Sequence, residues 1–273
     1  AMDGSNIDVL TTDGEHIFCM QEMFDTSLNH IKTDWNTRHG DRYLGNDHLM
    51  ATGGLLDDTG FNRIFWTYGN RWPGFYFMLM APKSGNLIVF NEEQTFATKW
   101  FVERNIHSAL FFPETTGYLL FCDENTTRPF LVGDPDAPEP IKWLPETLMQ
   151  PYRYDGRTIS NRYNDYTVEV DKGAGFTRGT PTVWQEYLPV RIEAMALTCD
   201  TLFAAGSPDR ASLEDPLAAL EGRAGGILLV IDPKSGKEIS RHSLAAAPRF
   251  DGMAAAGKCL YFVTRTGQLV AWQ

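Results

Sequence analysis

The stretch GILLVIDPKSGKEISRHSL, Gly226 to Leu244, reads as strand, turn, strand. Its first six residues are apolar and rich in branched side chains, which suits a pleated, buried surface. Asp232 and Pro233 start a tight turn, and Gly236 can take the positive φ that closes it. VTRTGQLVAW, ending at Trp272, repeats the same chemistry around Gly267. Two hairpins of one style in one chain set the expectation for the rest.

Working outward, short apolar and aromatic runs recur between Gly, Asp, Asn and Pro: EHIFCM, RIFWTYG, FYFMLMA, NLIVFN, TKWFVE, YLLFCDE, TLFAAG and CLYFVTR. Each has strand length. The pattern Gly-x-Leu followed by apolar residues appears at Gly85, Gly226 and Gly267. The last two begin 41 residues apart, and the first two 141, which is three steps of 47. Repeats of about 40–50 residues holding four strands are the mark of propeller blades. The best helix candidate is SLEDPLAALEGRAGG, Ser212 to Gly226, capped by Ser212 with Leu217, Ala219 and Leu220 on one face. Between Asp123 and Pro181 strand signals fade, and we read residues 125–180 as an irregular insertion in a single domain spanning 1–273.

Composition limits the function classes. The chain of 273 residues is 43% hydrophobic, enough for a large core, and its net charge of -11 with no gathered Lys/Arg run disfavours nucleic acid. No apolar stretch reaches membrane-spanning length. The opening AMDGSN has the look of residues left by cloning, so a leader upstream stays open. Cys19, Cys122, Cys199 and Cys259 lie far apart without metal or redox spacing, and read as small buried strand residues.

Five segments carry a family likeness: DVLTTDGEHIFCM, HLMATGGLLDDTGFNRIFWTYGN, LPVRIEAMALTCDTLFAAGSPD, DPLAALEGRAGGILLVIDPKSGKEI and FDGMAAAGKCLYFVTRTGQLVAW. Together they resemble the C-terminal part of PQQ-like, quinoprotein-type β-propeller proteins of planctomycete-type bacteria. The resemblance implies four-stranded antiparallel blades, about five of them visible here, and an extracytoplasmic setting in the periplasm or envelope. Most members of that family have no assigned activity. Its PQQ enzymes stack the quinone on tryptophan beside calcium held by Glu, Asn and Asp, often with vicinal cysteines. No such set can be matched here, so neither PQQ nor another cofactor is expected. DPDAPEP and DENTTR hold carboxylates for Ca²⁺ but lack the spacing of a known calcium loop. The final blade stops after three strands, so closure calls either on Ser5 to Val9 or on an upstream part of a larger propeller.

Candidate sites each carry two readings. In GLLDDTGFNRIFWTYGNRWPGFY, Gly54 to Tyr76, Asp57, Asp58, Arg63 and Arg71 lie among Trp66, Tyr68 and Trp72, which suits a sugar or planar ligand. Equally, period two makes it a blade strand with aromatic residues on both faces, ending at Gly69 and leaving Arg71 and Trp72 in a loop. His48 with Asp57 or Asp58, beside Arg63 or Tyr68, could remove a proton next to an acidic sugar; alone it reads as a hydrogen-bonded structural histidine. Arg191 and Glu193 in LPVRIEAM share a strand face, as a ligand-binding pair or as a bond between blades, and Arg249 and Asp251 in RFDGMAA read alike. Tyr152, Arg153, Tyr154, Arg157, Arg162, Tyr163 and Tyr166 give the insertion an interface-like composition that ordinary long loops share.

The expectation is therefore a non-catalytic propeller module binding a polysaccharide or protein partner. A polysaccharide lyase or glycoside hydrolase competes with it, using His48, Asp57, Asp58, Arg63 and Tyr68. A quinoprotein-like scaffold that has lost PQQ is the third reading.

Overall fold

A computed structural model describes residues 9–32, 42–51, 66–72, 81–100, 118–131, 152–154, 157–159, 176–177, 179–209, 214–219 and 221–273. The all-β expectation holds: the described residues form five open antiparallel sheets of three or four strands, and none of them is helical. β1 (Leu10–Thr12), β2 (Ile17–Cys19), β3 (Glu22–Phe24) and β4 (His30–Ile31) make the first sheet in chain order. β5 (Arg42–Ala51), β6 (Trp66–Trp72) and β7 (Ser84–Gly85) make the second. The third contains β8 (Leu87–Phe90), β9 (Gln94–Lys99) and β10 (Tyr118–Glu124).

The chain then leaves that sheet through two short ribbons. β11 (Phe130–Leu131) pairs with β14 (Phe176–Thr177), and β12 (Tyr152–Tyr154) with β13 (Arg157–Ile159). It returns as β15 (Trp184–Leu188), the fourth strand of the third sheet, with Tyr118 opposite Leu188 and Cys122 opposite Trp184. β16 (Val190–Leu197), β17 (Leu202–Pro208), β18 (Gly226–Ile231) and β19 (Glu238–Leu244) form the fourth sheet. β20 (Pro248–Ala256), β21 (Cys259–Thr264) and β22 (Leu269–Trp272) form the fifth.

Strand alternation explains how the last three sheets stack. On β17 and β18, Leu202, Ala204, Leu229 and Ile231 face the third sheet and join Leu87, Phe96, Leu120 and Cys122 in one core. Their alternates Ala205 and Leu228 face the other way, onto Leu260 and Phe262 of the fifth sheet. The fourth sheet is thus apolar on both faces and is covered on both, as sheet-on-sheet packing requires. At about 25 cal/mol per Å² of apolar surface, such two-sided burial supplies most of the drive to stack.

The DPKSG turn forms as expected. Gly236 has φ +73 and donates its N–H to the Asp232 carbonyl (2.9 Å), while the Ser235 hydroxyl donates to the Asp232 carboxylate (2.5 Å). Trp184 of β15 lies over this turn and donates Nε1–H to the Pro233 carbonyl (2.8 Å). A Cβ at Gly236 would stand 2.5 Å from the indole ring, so the third and fourth sheets interlock only around glycine.

Some expectations change. The Gly226 and Gly267 echoes open or precede the third strand of their sheets, but the Gly85 copy is split. Ser84 and Gly85 pair with β6, Asn86 turns the chain, and Leu87 to Phe90 pair with β9. The three copies therefore do not mark one blade position. The segment expected as a helix folds instead into turns over its described residues, where Glu221 N–H reaches the Leu217 carbonyl and both Arg223 and Ala224 N–H reach that of Ala218. Its Arg223 side chain bonds Asp215 and Glu221, fastening a coil that Pro216, Gly222 and Gly225 keep from extending. β6 runs through Gly69 to Trp72, so Arg71 and Trp72 are strand residues. Of the four cysteines, all free, Cys122 is buried, Cys19 and Cys259 are half-buried and Cys199 is exposed. Residues 5–8 lie outside the described residues, and β1 belongs to the first sheet.

A truer repeat appears in the register. The opening strands of the second, fourth and fifth sheets each slip before a Met-Ala pair. Met50, Met195 and Met253 then face Thr67, Ala204 and Phe262 on the neighbouring strand. The slips fall between Tyr43 and His48, Ile192 and Ala194, and Pro248 and Met253. β16 and β20, two of these irregular strands, pack beside each other.

Candidate functional site

The slip in β16 leaves Glu193 as the residue without an opposite number, and that irregularity turns its carboxylate into the protein. Glu193 is 1% exposed and Arg191 6%. Across the strand, Gly206 permits the close approach: a Cβ there would stand 1.7 Å from the Arg191 carbonyl oxygen. Glu193 Oε1 accepts from Arg265 Nη2 of the fifth sheet (2.5 Å), and Oε2 accepts from the Ser207 hydroxyl (3.2 Å). Arg191 Nε stands 4.0 Å from Oε1, a charge contact longer than a hydrogen bond.

The Arg191 guanidinium lies 4.5 Å from the centre of the Trp100 ring, in cation–π geometry. Trp100 is fixed in turn by Nε1–H donated to the Ile192 carbonyl (2.6 Å) and by an edge contact with Phe250 (5.6 Å). Beyond Arg191, the Tyr118 hydroxyl bonds to the Asp209 carboxylate. Burial raises the pKa of Glu193 against the pull of Arg265 and Arg191, raises that of Asp209 against its tyrosine bond and Arg191, and lowers that of Arg191 against Glu193. Tyr118 is pushed far up, first by burial and then by Asp209. Each Glu193 oxygen has a donor, so this carboxylate is held in place.

On β20 the break in pairing runs through Arg249, Phe250 and Asp251. Phe250 is buried against Trp100, whereas Arg249 and Asp251 on either side of it are exposed. Asp251 adopts φ +54, and desolvation by the surrounding protein raises its pKa. The predicted pairs Arg191–Glu193 and Arg249–Asp251 thus come together at one rim through Trp100 and Phe250. Sequence reasoning missed Trp100, Tyr118, Ser207, Asp209 and Arg265, and only the run of polar residues ending TLFAAGSPD hinted at any of them.

The second predicted group separates. His48 is buried and stacks on Phe18 (3.9 Å, 13° between planes), while Tyr68 stacks on Phe90 (4.5 Å). Their backbone partners, Gly69 for His48 and Leu49 for Tyr68, put the two side chains on opposite faces of the sheet. Burial raises the Tyr68 hydroxyl above the ordinary range. Trp72 is buried with Phe18, Leu44 and Met50, and Arg71 is half-buried on β6 opposite Tyr43. Asp57, Asp58 and Arg63 lie outside the described residues, as do Arg162, Tyr163 and Tyr166. Tyr152, Arg153, Tyr154 and Arg157 fall on the β12–β13 ribbon. Among the described residues no three His, Cys, Asp or Glu gather to hold a metal ion, and no helix is long and apolar enough to cross a membrane.

Compared with known proteins, the chain matches no family model and no curated relative.

Proposed function

We propose that this chain is a non-catalytic binding module built as a β-propeller of PQQ-like blades, working outside the cytoplasm. Its ligand sits on the rim formed by β16 and β20. The observation that carries the reading is one motif used twice there. Arg-apolar-acid occurs as Arg191-Ile192-Glu193, sealed by Arg265, Ser207 and Trp100, and as Arg249-Phe250-Asp251, held by Phe250 with its charges exposed. A rigid buried layer beneath an exposed donor and acceptor is what preorganised recognition asks for. Stacked antiparallel sheets opening on an irregular strand and a Met-Ala pair support the blade reading.

Arg249 and Asp251, both exposed on β20, carry a guanidinium and a carboxylate, groups whose chemistry suits the hydroxyl and carboxyl groups of a polysaccharide. Titration calorimetry of the chain against neutral and acidic polysaccharides is expected to detect binding that Arg249→Ala weakens at least ten-fold, with the fold intact by circular dichroism. Failure of every polymer to bind overturns the polysaccharide assignment. New reducing ends or unsaturated products in the same incubations favour a lyase or hydrolase.

A further inference from the structure

The seat of the N-terminal sheet on β5 is built around a histidine that must stay neutral. Asp13, in the turn between β1 and β2, accepts the Asn46 backbone N–H (2.8 Å) and the His16 backbone N–H (2.7 Å), and its Oδ2 lies 3.1 Å from the His16 ring. Phe18 of β2 lies flat on His48 of β5, and both belong to the buried contact between the two sheets. His48 Nδ1 is 2.7 Å from the Asn46 carbonyl. A carbonyl can only accept, so Nδ1 carries the proton and Nε2 holds the lone pair. Nε2 is buried and has no hydrogen-bond partner among the described residues.

We propose that His48 makes this seat acid-labile, so that a proton arriving at Nε2 loosens the β1–β4 sheet from β5. The added N–H would have no acceptor among the described residues and would bring a positive charge into an apolar contact against Phe18. The charged and titratable groups facing His48 are Asp13 and His16 from the first sheet and Asp47 on its own strand. Burial holds the His48 pKa below the ordinary histidine value, while Asn46, Asp13 and Asp47 pull it upward and do not overcome burial. The sign follows: the docked sheet binds fewer protons than the undocked one, so docking weakens as pH falls below about 6.5. One such proton changes the docking equilibrium by at most about ten-fold at pH 5.5.

Hydrogen exchange on the full chain, corrected for the intrinsic pH dependence of amide exchange, tests this. Between pH 7.5 and 5.5, amides of β1–β4 are expected to lose up to about ten-fold in protection, while those of β16–β18 keep theirs. His48→Phe retains the stacked ring without a titrating nitrogen and should hold protection level across that range. His48→Asn, which keeps a donor for the Asn46 carbonyl, should do the same and serves where the phenylalanine variant fails to fold. Unchanged protection in the wild-type chain overturns the proposal. An equal loss in the variants that fold also overturns it.

Discussion

Arg191 to Met195 and Arg249 to Met253 spell the same pattern, Arg-apolar-acid-small-Met, ahead of the Met-Ala pair in adjacent sheets, yet the acid is buried in one and exposed in the other. The difference lies on the partner strands. Opposite the first motif stand Gly206, paired with Ile192, and Ser207, paired with Arg191; in the fifth sheet regular pairing breaks between Pro248–Thr264 and Met253–Phe262, so Arg249 to Gly252 fall within the irregular stretch. Glycine lets the β16 backbone press in, and Ser207 bonds the acid of its own sheet. Arg265 instead reaches across to Glu193 of the neighbouring sheet, and Asp251 stays at the surface. A repeated motif is thus a site or a brace according to what its partner strand supplies.

The largest expected effect breaks the closed copy. Glu193→Ala removes the counter-charge of Arg265 and Arg191 and should cost about 3–5 kcal/mol in denaturant unfolding. Asp251→Asn should stay within about 0.5 kcal/mol, because the side chain is exposed and asparagine tolerates the φ of +54. If both cost the same, the distinction between brace and site fails. Next, Gly206→Ala should cost about 2–3 kcal/mol, because the added methyl meets the Arg191 carbonyl. Thr264→Ala, on the fifth-sheet strand opposite Pro248, introduces no such clash and should cost clearly less by the same measurement.

The smallest effect is a pH dependence. The folded-state pKa of Asp251 is raised by desolvation, so the folded chain binds more protons there than the unfolded chain does. Stability therefore falls as pH climbs from the unfolded carboxylate value, near 3.9, through the folded one. Asp251→Asn should remove that decline from thermal melts taken between pH 4 and 6. A melt profile identical to the wild type would show that the carboxyl is as well solvated folded as unfolded.

Local chemistry was readable in the sequence; long-range partnership was not. The hairpins at Asp232–Gly236 and Thr264–Gln268 follow from Pro and Gly at turn positions, and the strands from branched and aromatic runs. Arg191, Glu193, Arg249 and Asp251 stood out because residues two apart on a strand share a face. Arg265 lies 72 residues from Glu193, and Trp100 lies 92 from Ile192, so no local pattern announces either contact. The turn segment at Asp215–Ala224 misled for the opposite reason. It has helical spacing over Leu217 to Leu220, but too few residues between Pro216 and Gly222 for helix propagation to repay its nucleation. His48 and Tyr68 are close in sequence terms across a hairpin, and only the pairing register shows them facing apart.

The late return of β15 bears on how the chain is made. β10 is buried along nearly its whole length, and the strand that covers its outer edge begins only at Trp184, about sixty residues after β10 ends. At ordinary translation rates the ribosome needs roughly 3–12 s to deliver that strand. Throughout that interval the nascent third sheet carries an apolar edge with unpaired backbone groups, the arrangement that recruits stray strands from other chains. Trp184 then closes the edge and waits again, since the turn it clasps at Pro233 emerges later still. Both the β10–β15 pairing and the Trp184 clasp on the Pro233 turn therefore wait on segments made well after β10 itself.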